Sequence, residues 1–215
     1  MSALALILGR AGSKGVPGKN TAAVAGRPCV MWTIDHAREA HRVSRIAVST
    51  DDEALQRMAI DRGVDGVARP ATLAADEAAV DDAARRAVEA LGWTGGPVAI
   101  LYANVPVRPA GLLDRAIGLL EETGCDSVQS VARVGKHHPW WTARLEPDAR
   151  LAPWEGDTLN HGVYRRQDLP PAYIPDGGAL VVTRDALFGV IPDVAPGHHA
   201  FLGADRRAVA TEQGE

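Results

Sequence analysis

Short apolar runs alternate with helix-period patterns along the first 133 residues, and this alternation constrains the fold more than any other feature of the chain. Ala3 to Leu8, Arg45 to Ser49, Val98 to Tyr102 and Ser127 to Arg133 read as strands. Val30 to Ala40, Glu53 to Arg62, Asp76 to Leu91 and Ala110 to Glu122 read as the helices beside them. Strand and helix in succession imply a parallel sheet, because parallel neighbours can be joined only by a crossover. With 215 residues and 46% hydrophobic content, one α/β domain covering 1–215 is expected. Between 135 and 175 the periodicity fades and three tryptophans and three of the seven histidines accumulate, so this stretch reads as an excursion from the sheet. Ala179 to Thr183 then reads as a returning strand, with a short helix near Asp185 to Val190.

The first strand runs directly into Gly9-Arg10-Ala11-Gly12-Ser13-Lys14-Gly15-Val16-Pro17-Gly18-Lys19-Asn20. Three cations, a hydroxyl and glycines that let backbone N–H groups approach an anion are what a polyphosphate needs. Two better-known phosphate loops are excluded. A Walker A loop requires glycine five residues before Gly18 and a hydroxyl residue after Lys19, where this chain has Ser13 and Asn20. A dinucleotide fingerprint fails because Gly9, Gly12 and Gly15 recur every third residue, and Pro17 obstructs the helix that should open there. What remains is an irregular loop crossing the C-terminal edge of a first strand, where open α/β sheets bind ligands.

Charge and composition narrow the ligand. A net charge of −4 argues against extended nucleic-acid binding, which needs a basic face, so the local cations point to a small anion. Cys29 and Cys125 are far apart with no C-x-x-C partner, and read as core thiols rather than a disulfide or zinc site. His137-His138 and His198-His199 invite a metal, but adjacent side chains rarely converge on one ion, and loop or packing roles are favoured. The N-terminal apolar run is too short for a signal-peptide core or a bilayer span, so no membrane association and a cytoplasmic location are expected. Of Asp51 and Asp52, following the second strand, one is expected to cap the next helix.

The loop at Gly9, together with Ser49-Thr50-Asp51-Asp52-Glu53, Arg69-Pro70 with Leu73 and Asp76, and Arg166-Gln167-Asp168-Leu169-Pro170, resembles the acylneuraminate cytidylyltransferase family. The resemblance runs along nearly the whole chain and implies an α/β fold of three layers, a mostly parallel Rossmann-like nucleotidyltransferase sheet with a protruding dimerisation segment. It implies transfer of CMP from CTP to a nonulosonic acid of the sialic, legionaminic or pseudaminic type, with pyrophosphate released and magnesium as cofactor. Carried over by residue, Arg10, Ser13, Lys14 and Lys19 surround the triphosphate, with Gly9 also among the nucleotide-binding residues and Asn20 and Arg69 toward the cytosine and ribose. Arg10, Lys14 and Lys19 are the catalytic candidates, since charge gathers on phosphate oxygens in the transition state. The acceptor side falls to Tyr102, Asn104, Arg108, Arg166, Gln167, Tyr173 and Asp176.

The departures concern the acceptor. Where the family has Gln-Pro-Thr-Ser-Pro-Leu-Arg, this chain reads Tyr102-Ala103-Asn104-Val105-Pro106-Val107-Arg108. In Tyr173-Ile174-Pro175-Asp176-Gly177-Gly178, an Asn-Gly and a nearby basic residue are replaced, leaving Arg108, Arg166 or His161 to supply a charge for the sugar carboxylate. An octulosonic acid or a sugar-1-phosphate therefore stands as the alternative acceptor, and a catalytically weak nucleotide-binding module as the alternative class. The metal ligands are unassigned: the family's Asp-x-Asp follows a strand resembling Arg207 to Ala210, whereas this chain reads Thr211-Glu212-Gln213-Gly214-Glu215, which suggests truncation of a longer protein. Trp140, Trp141 and Trp154 are costly to expose together, and a homodimer interface is expected there, with a subsidiary core as the competing account.

Overall fold

The computed structural model describes residues 2–12, 15–75 and 78–211. In chain order the strands and helices are β1 (Ala3–Leu8), β2 (Ala23–Val24), β3 (Arg27–Pro28), α1 (Cys29–Glu39), β4 (Val43–Thr50), α2 (Glu53–Asp61), β5 (Asp65–Ala68) and α3 (Val80–Ala90). They continue with β6 (Val98–Tyr102), α4 (Leu112–Thr123), β7 (Ser127–Arg133), β8 (Ala143–Leu145), β9 (Leu151–Pro153), β10 (Tyr173–Val182), α5 (Arg184–Leu187) and β11 (Arg206–Thr211). Seven strands form one sheet in the order β11-β7-β10-β6-β1-β4-β5. All share one direction except β10, which is antiparallel to both β6 and β7.

The alternation of β1 explains the layers. Side chains on a strand point to opposite faces in turn. Ala3, Ala5 and Ile7 enter a core with Val30 and Ile34 of α1, Leu55 of α2 and Leu112, Leu113 and Ile117 of α4. Leu4, Leu6 and Leu8 enter a second core with Ala84, Ala87 and Val88 of α3, Leu187 of α5 and Phe201. With both faces covered, every residue of β1 is buried, as an interior parallel strand requires. Cys29 and Cys125 are buried free thiols within these layers, as the sequence implies.

Several elements differ from expectation. β5 is short and carries Asp65 and Gly66, so it lacks the apolar alternation that marks a strand, and pairing with β4 defines it instead. α3 opens at Val80 rather than Asp76, with Ala79 extended ahead of it. The returning strand starts at Tyr173, six residues earlier than its apolar part suggests, because a register shift between Pro175 and Leu180 interrupts the alternation. The helix near Asp185 is a single turn ending at Leu187, with Gly189 in the left-handed region just beyond it.

The excursion leaves β7 at Arg133 and rejoins β10 at Tyr173, and these two residues are paired neighbours in the sheet. Between them lie the β8–β9 hairpin and a small core. Trp140 stacks on His161 with ring centroids 4.7 Å apart, and the Trp141 indole donates to the Val163 carbonyl at 2.9 Å. His138 is buried, accepting from the Trp140 backbone N–H through Nδ1 and facing the Pro170 carbonyl with Nε2 at 3.1 Å. Two of the three tryptophans thus belong to a subsidiary core, while Trp154 is 64% exposed. Among the described residues, no group of three or more His, Cys, Asp or Glu side chains could hold a metal, and no helix is long and apolar enough to cross a membrane.

Candidate functional site

A cleft of about 270 Å³ opens at the C-terminal ends of β1 and β6 and is lined by Leu8, Gly9, Arg10, Lys19, Asn20, Arg69, Tyr102 and Asn104. Its place follows from topology. β1 sends the chain outward to β4 and β5, and the chain then returns on β1's other side as β6, so the connections diverge and leave a crevice between the strand ends. Seven of the candidate residues read from the sequence meet here: Gly9, Arg10, Lys19, Asn20, Arg69, Tyr102 and Asn104. Ser13 and Lys14 lie outside the described residues.

The loop is held by specific contacts. The Gly9 N–H donates to the Ser49 carbonyl at 3.2 Å, and the Asp51 carboxylate accepts from the Ala11 N–H at 2.9 Å. Gly9 has no room for a side chain: a Cβ there would lie 2.8 Å from Leu55 Cδ2, 2.9 Å from Ala103 Cβ and 3.1 Å from Asn20 Nδ2. Asn20 is only 3% exposed. Its Nδ2 donates to the Arg10 carbonyl at 2.9 Å, while its Oδ1 is buried with no hydrogen-bond partner among the described residues. A buried acceptor left unpaired is costly, and at a cleft wall it suits a donor brought by a ligand.

The positive wall is built from the segments that follow β1 and β5. Arg10 donates through Nη1 to the Ala74 carbonyl at 3.3 Å, bringing the loop against the segment before α3. Arg69 donates to the Ser49 carbonyl at 2.8 Å. Burial pushes the Arg69 pKa down, the Asp51 charge pulls it up, and the nearby Arg10 adds to the depression. Opposite these cations, Leu73, Ala75, Ala78, Ala79, Val80 and Ala83 form a narrow apolar wall. Sequence reasoning read part of that wall as helix. Its signal was the run of alanines around 74–79, small residues that leave a slot for a flat ring.

Asp52, not Asp51, is the cap of α2, its carboxylate accepting from the Ala54 and Leu55 N–H groups. Asp51 instead braces the glycine-rich loop.

The acceptor-side candidates divide into three groups. Tyr102 and Asn104 sit in the cleft, and burial raises the Tyr102 phenol pKa. Arg166 and Gln167 are elsewhere, in a cavity of about 330 Å³ shared with Arg133, Val134, Gly135, Leu169 and Pro170 beyond the end of β7. Tyr173 is half-exposed at the start of β10 and lines neither space. Arg108 and Asp176, expected on the acceptor side, do not line the cleft and are engaged by protein groups. The Arg108 guanidinium donates to the carbonyls of Tyr102, Val105 and Gly178 and to Thr33 Oγ1, so its donors face protein. Asp176 accepts from the Ser130 hydroxyl, the Gly178 N–H at 2.9 Å and the Thr211 hydroxyl at 2.7 Å. Burial alone would raise its pKa, but those donors outweigh it and hold the carboxyl below the usual range.

Sheet, layers and cleft together define an α/β nucleotidyltransferase fold. A CMP:2-keto-3-deoxy-manno-octonic acid synthetase solved in complex with CTP superimposes with a TM-score of 0.72 at 14% identity, over 99% of this chain and 90% of that one. A 4-diphosphocytidyl-2C-methyl-D-erythritol synthase from Anaerococcus prevotii gives 0.62 at 12% identity, over 97% and 89%. The cytidylyltransferase family model matches residues 4–138, and the chain belongs to that family. Among curated relatives, the N-acylneuraminate cytidylyltransferase of Streptococcus agalactiae is 29% identical over 187 residues, covering 86% of this chain and 44% of its own length. The enzyme of the same name from Escherichia coli is 30% identical over 185 residues, 84% of this chain and 42% of its own. The chain thus spans under half the length of these relatives.

Proposed function

We propose that this chain binds CTP in the β1–β6 cleft and transfers CMP to the anomeric hydroxyl of a nonulosonic acid, releasing pyrophosphate. The observation that carries the proposal is the meeting of Gly9, Arg10, Lys19, Asn20 and Arg69 with Tyr102 and Asn104 in one cleft at the sheet's switch point. The names of the curated relatives support the same chemistry.

The acceptor hydroxyl gives up its proton to water and its oxygen forms a bond to the α-phosphorus as the bond to the bridging oxygen of the pyrophosphate breaks. Charge builds on the non-bridging and leaving oxygens, and prearranged cations are most effective against such developing charge. Arg10 offers a planar fork to two oxygens, and Lys19 and Lys14 supply compact charges toward the leaving group. The apolar wall of Leu73, Ala75, Ala78 and Ala79 takes the base, with Arg69 at its polar edge. Asn20 Oδ1 accepts from a hydroxyl or amino group of the nucleotide. Asp51, whose carboxylate braces the loop, would hold a magnesium ion carried on the triphosphate, and the ion would neutralise phosphate charge, a mode that needs few protein ligands. On the acceptor side Tyr102 and Asn104 are assigned the sugar, since Arg166 lines a separate cavity.

A homodimer is part of the proposal. Leu145, Leu151, Trp154, Leu159 and Tyr164 are exposed together on the excursion, a concentration of apolar side chains that suits an interface. The buried free thiols fit a reducing cytoplasm. Light scattering at micromolar concentration is expected to give twice the chain mass, and a monomer would remove the dimer from the proposal.

Pyrophosphate release, measured with each nucleoside triphosphate against nonulosonic acids, an octulosonic acid and hexose-1-phosphates, tests the activity. Release is expected with CTP and a nonulosonic acid. The altered 102–108 segment favours the octulosonic acid as the second reading, and release with that acceptor alone would replace the first. CTP binding without release in any combination would leave a binding module.

A further inference from the structure

We propose that Arg108 is a positioning residue that locks the acceptor rim of the cleft, tying the turn after β6 to the bulged start of β10 and to α1. The proposal rests on the cleft being the transfer site, and it concerns a residue that does not line that cleft.

The chain after β6 has no regular structure, yet it carries Tyr102 and Asn104 into the cleft. A turn of this kind holds its shape only if its backbone groups are paired. Three carbonyls converge on the Arg108 guanidinium. Nη2 donates to Tyr102 at 3.0 Å, Nη1 to Val105 at 2.5 Å, and Nε to Gly178 at 2.6 Å. Nη1 also donates to Thr33 Oγ1 at 2.9 Å. Thr33 is fully buried on α1, and its hydroxyl in turn lies 3.3 Å from the Tyr102 carbonyl and 3.2 Å from that of Val105. One planar cation thus fixes the turn on two sides.

The far end of the link is anchored as well. Gly178 donates its N–H to Asp176, whose carboxylate is also bound by Ser130 of β7 and Thr211 of β11. Gly177 faces Tyr102: a Cβ added there would make ordinary van der Waals contact, 3.8 Å from the ring's Cδ2. The two stretches in which this chain departs from the family pattern, 102–108 and 173–178, are therefore joined to each other through Arg108. Their geometry is set as a unit, so the acceptor specificity written in one stretch depends on the other.

Lysine cannot reproduce this arrangement, because its donors radiate from one nitrogen while the carbonyls of Gly178, Tyr102 and Val105 are met by three separate nitrogens of the guanidinium. Hydrogen exchange on intact protein reads the link directly. Relative to wild type, Arg108→Lys is expected to raise exchange at 102–107 and at 176–179 together, with β1 unchanged. Steady-state kinetics with the acceptor used by wild type should then show acceptor KM raised about 10-fold or more, CTP KM within about twofold, and partial recovery of Arg108→Ala by added guanidinium. Unaltered exchange in both stretches of folded Arg108→Lys would overturn the proposal. So would equal losses in CTP and acceptor KM. If wild type accepts no sugar acid, the assigned activity fails while the exchange measurement still decides the role of Arg108.

Discussion

Asn20 gives its side-chain N–H to the carbonyl of Arg10 while its own Oδ1, sealed from solvent at the cleft wall, meets no donor among the described residues. One side chain thus shapes the loop and leaves an acceptor for the ligand. Asn20→Asp removes the donor that holds the Arg10 carbonyl and buries a negative charge at the cleft wall. Calorimetric titration with CTP is expected to show affinity weakened by about 10- to 100-fold. An unchanged Kd would mean that neither the lost donor nor the added charge bears on nucleotide binding.

Gly9→Ala presses a methyl group between Leu55, Ala103 and Asn20. Overpacking of this sort costs about 1–3 kcal/mol, and the displaced Asn20 should carry CTP affinity down with it. Urea denaturation gives the first quantity. A variant of wild-type stability would show that the loop yields without strain.

Asp176→Ala strands the Ser130 and Thr211 hydroxyls and the Gly178 N–H, and is expected to cost about 1–3 kcal/mol. Asp176→Asn keeps acceptor capacity toward Ser130 and Gly178, while the Thr211 hydroxyl can rotate to accept from the new amide, so its cost should stay under about 1 kcal/mol. Melting temperatures of the pair test the contrast. Equal losses would indicate that the charge, not the hydrogen-bond pattern, holds this corner.

His36 gives a pH dependence. Burial first, and then the Arg108 charge, push its pKa down to about 4, against the pull of Asp114, and its Nε2 is buried without a partner among the described residues. In the unfolded chain the imidazole returns to its ordinary value near 6.5. The unfolded state therefore binds more protons between those values, and stability is full above about pH 6.5 and falls as pH drops toward 4. Denaturation midpoints across this window should decline less steeply in His36→Gln than in wild type. Identical slopes would assign the decline to other groups.

Much of the nucleotide side was legible because it is written locally. Gly9, Arg10, Lys19 and Asn20 follow one strand within a single loop, so strand position and loop chemistry are enough to bring them to one cleft. Tyr102 and Asn104 were reachable in the same way, after an apolar run that is also a strand. The apolar wall was hidden because alanines that end a loop look like alanines that begin a helix. Arg108, Arg166 and Asp176 show a different limit. Each is a polar residue in a segment without periodicity, and its role depends on partners such as Gly178, Gly135 and Thr211, brought near only by the antiparallel β10 and by the return of β11 beside β7.

The pairing of Arg133 with Tyr173 makes the stretch between them a detachable insert. Because the chain departs and re-enters at adjacent rungs of one antiparallel ladder, the sheet register does not depend on how many residues intervene, and lengthening such a loop adds only slowly to its closure entropy. A short turn closing β7 onto β10 should leave both cores intact. Residues 134–172 can thus be exchanged or remodelled as a unit, while the cleft at the ends of β1 and β6 stays untouched.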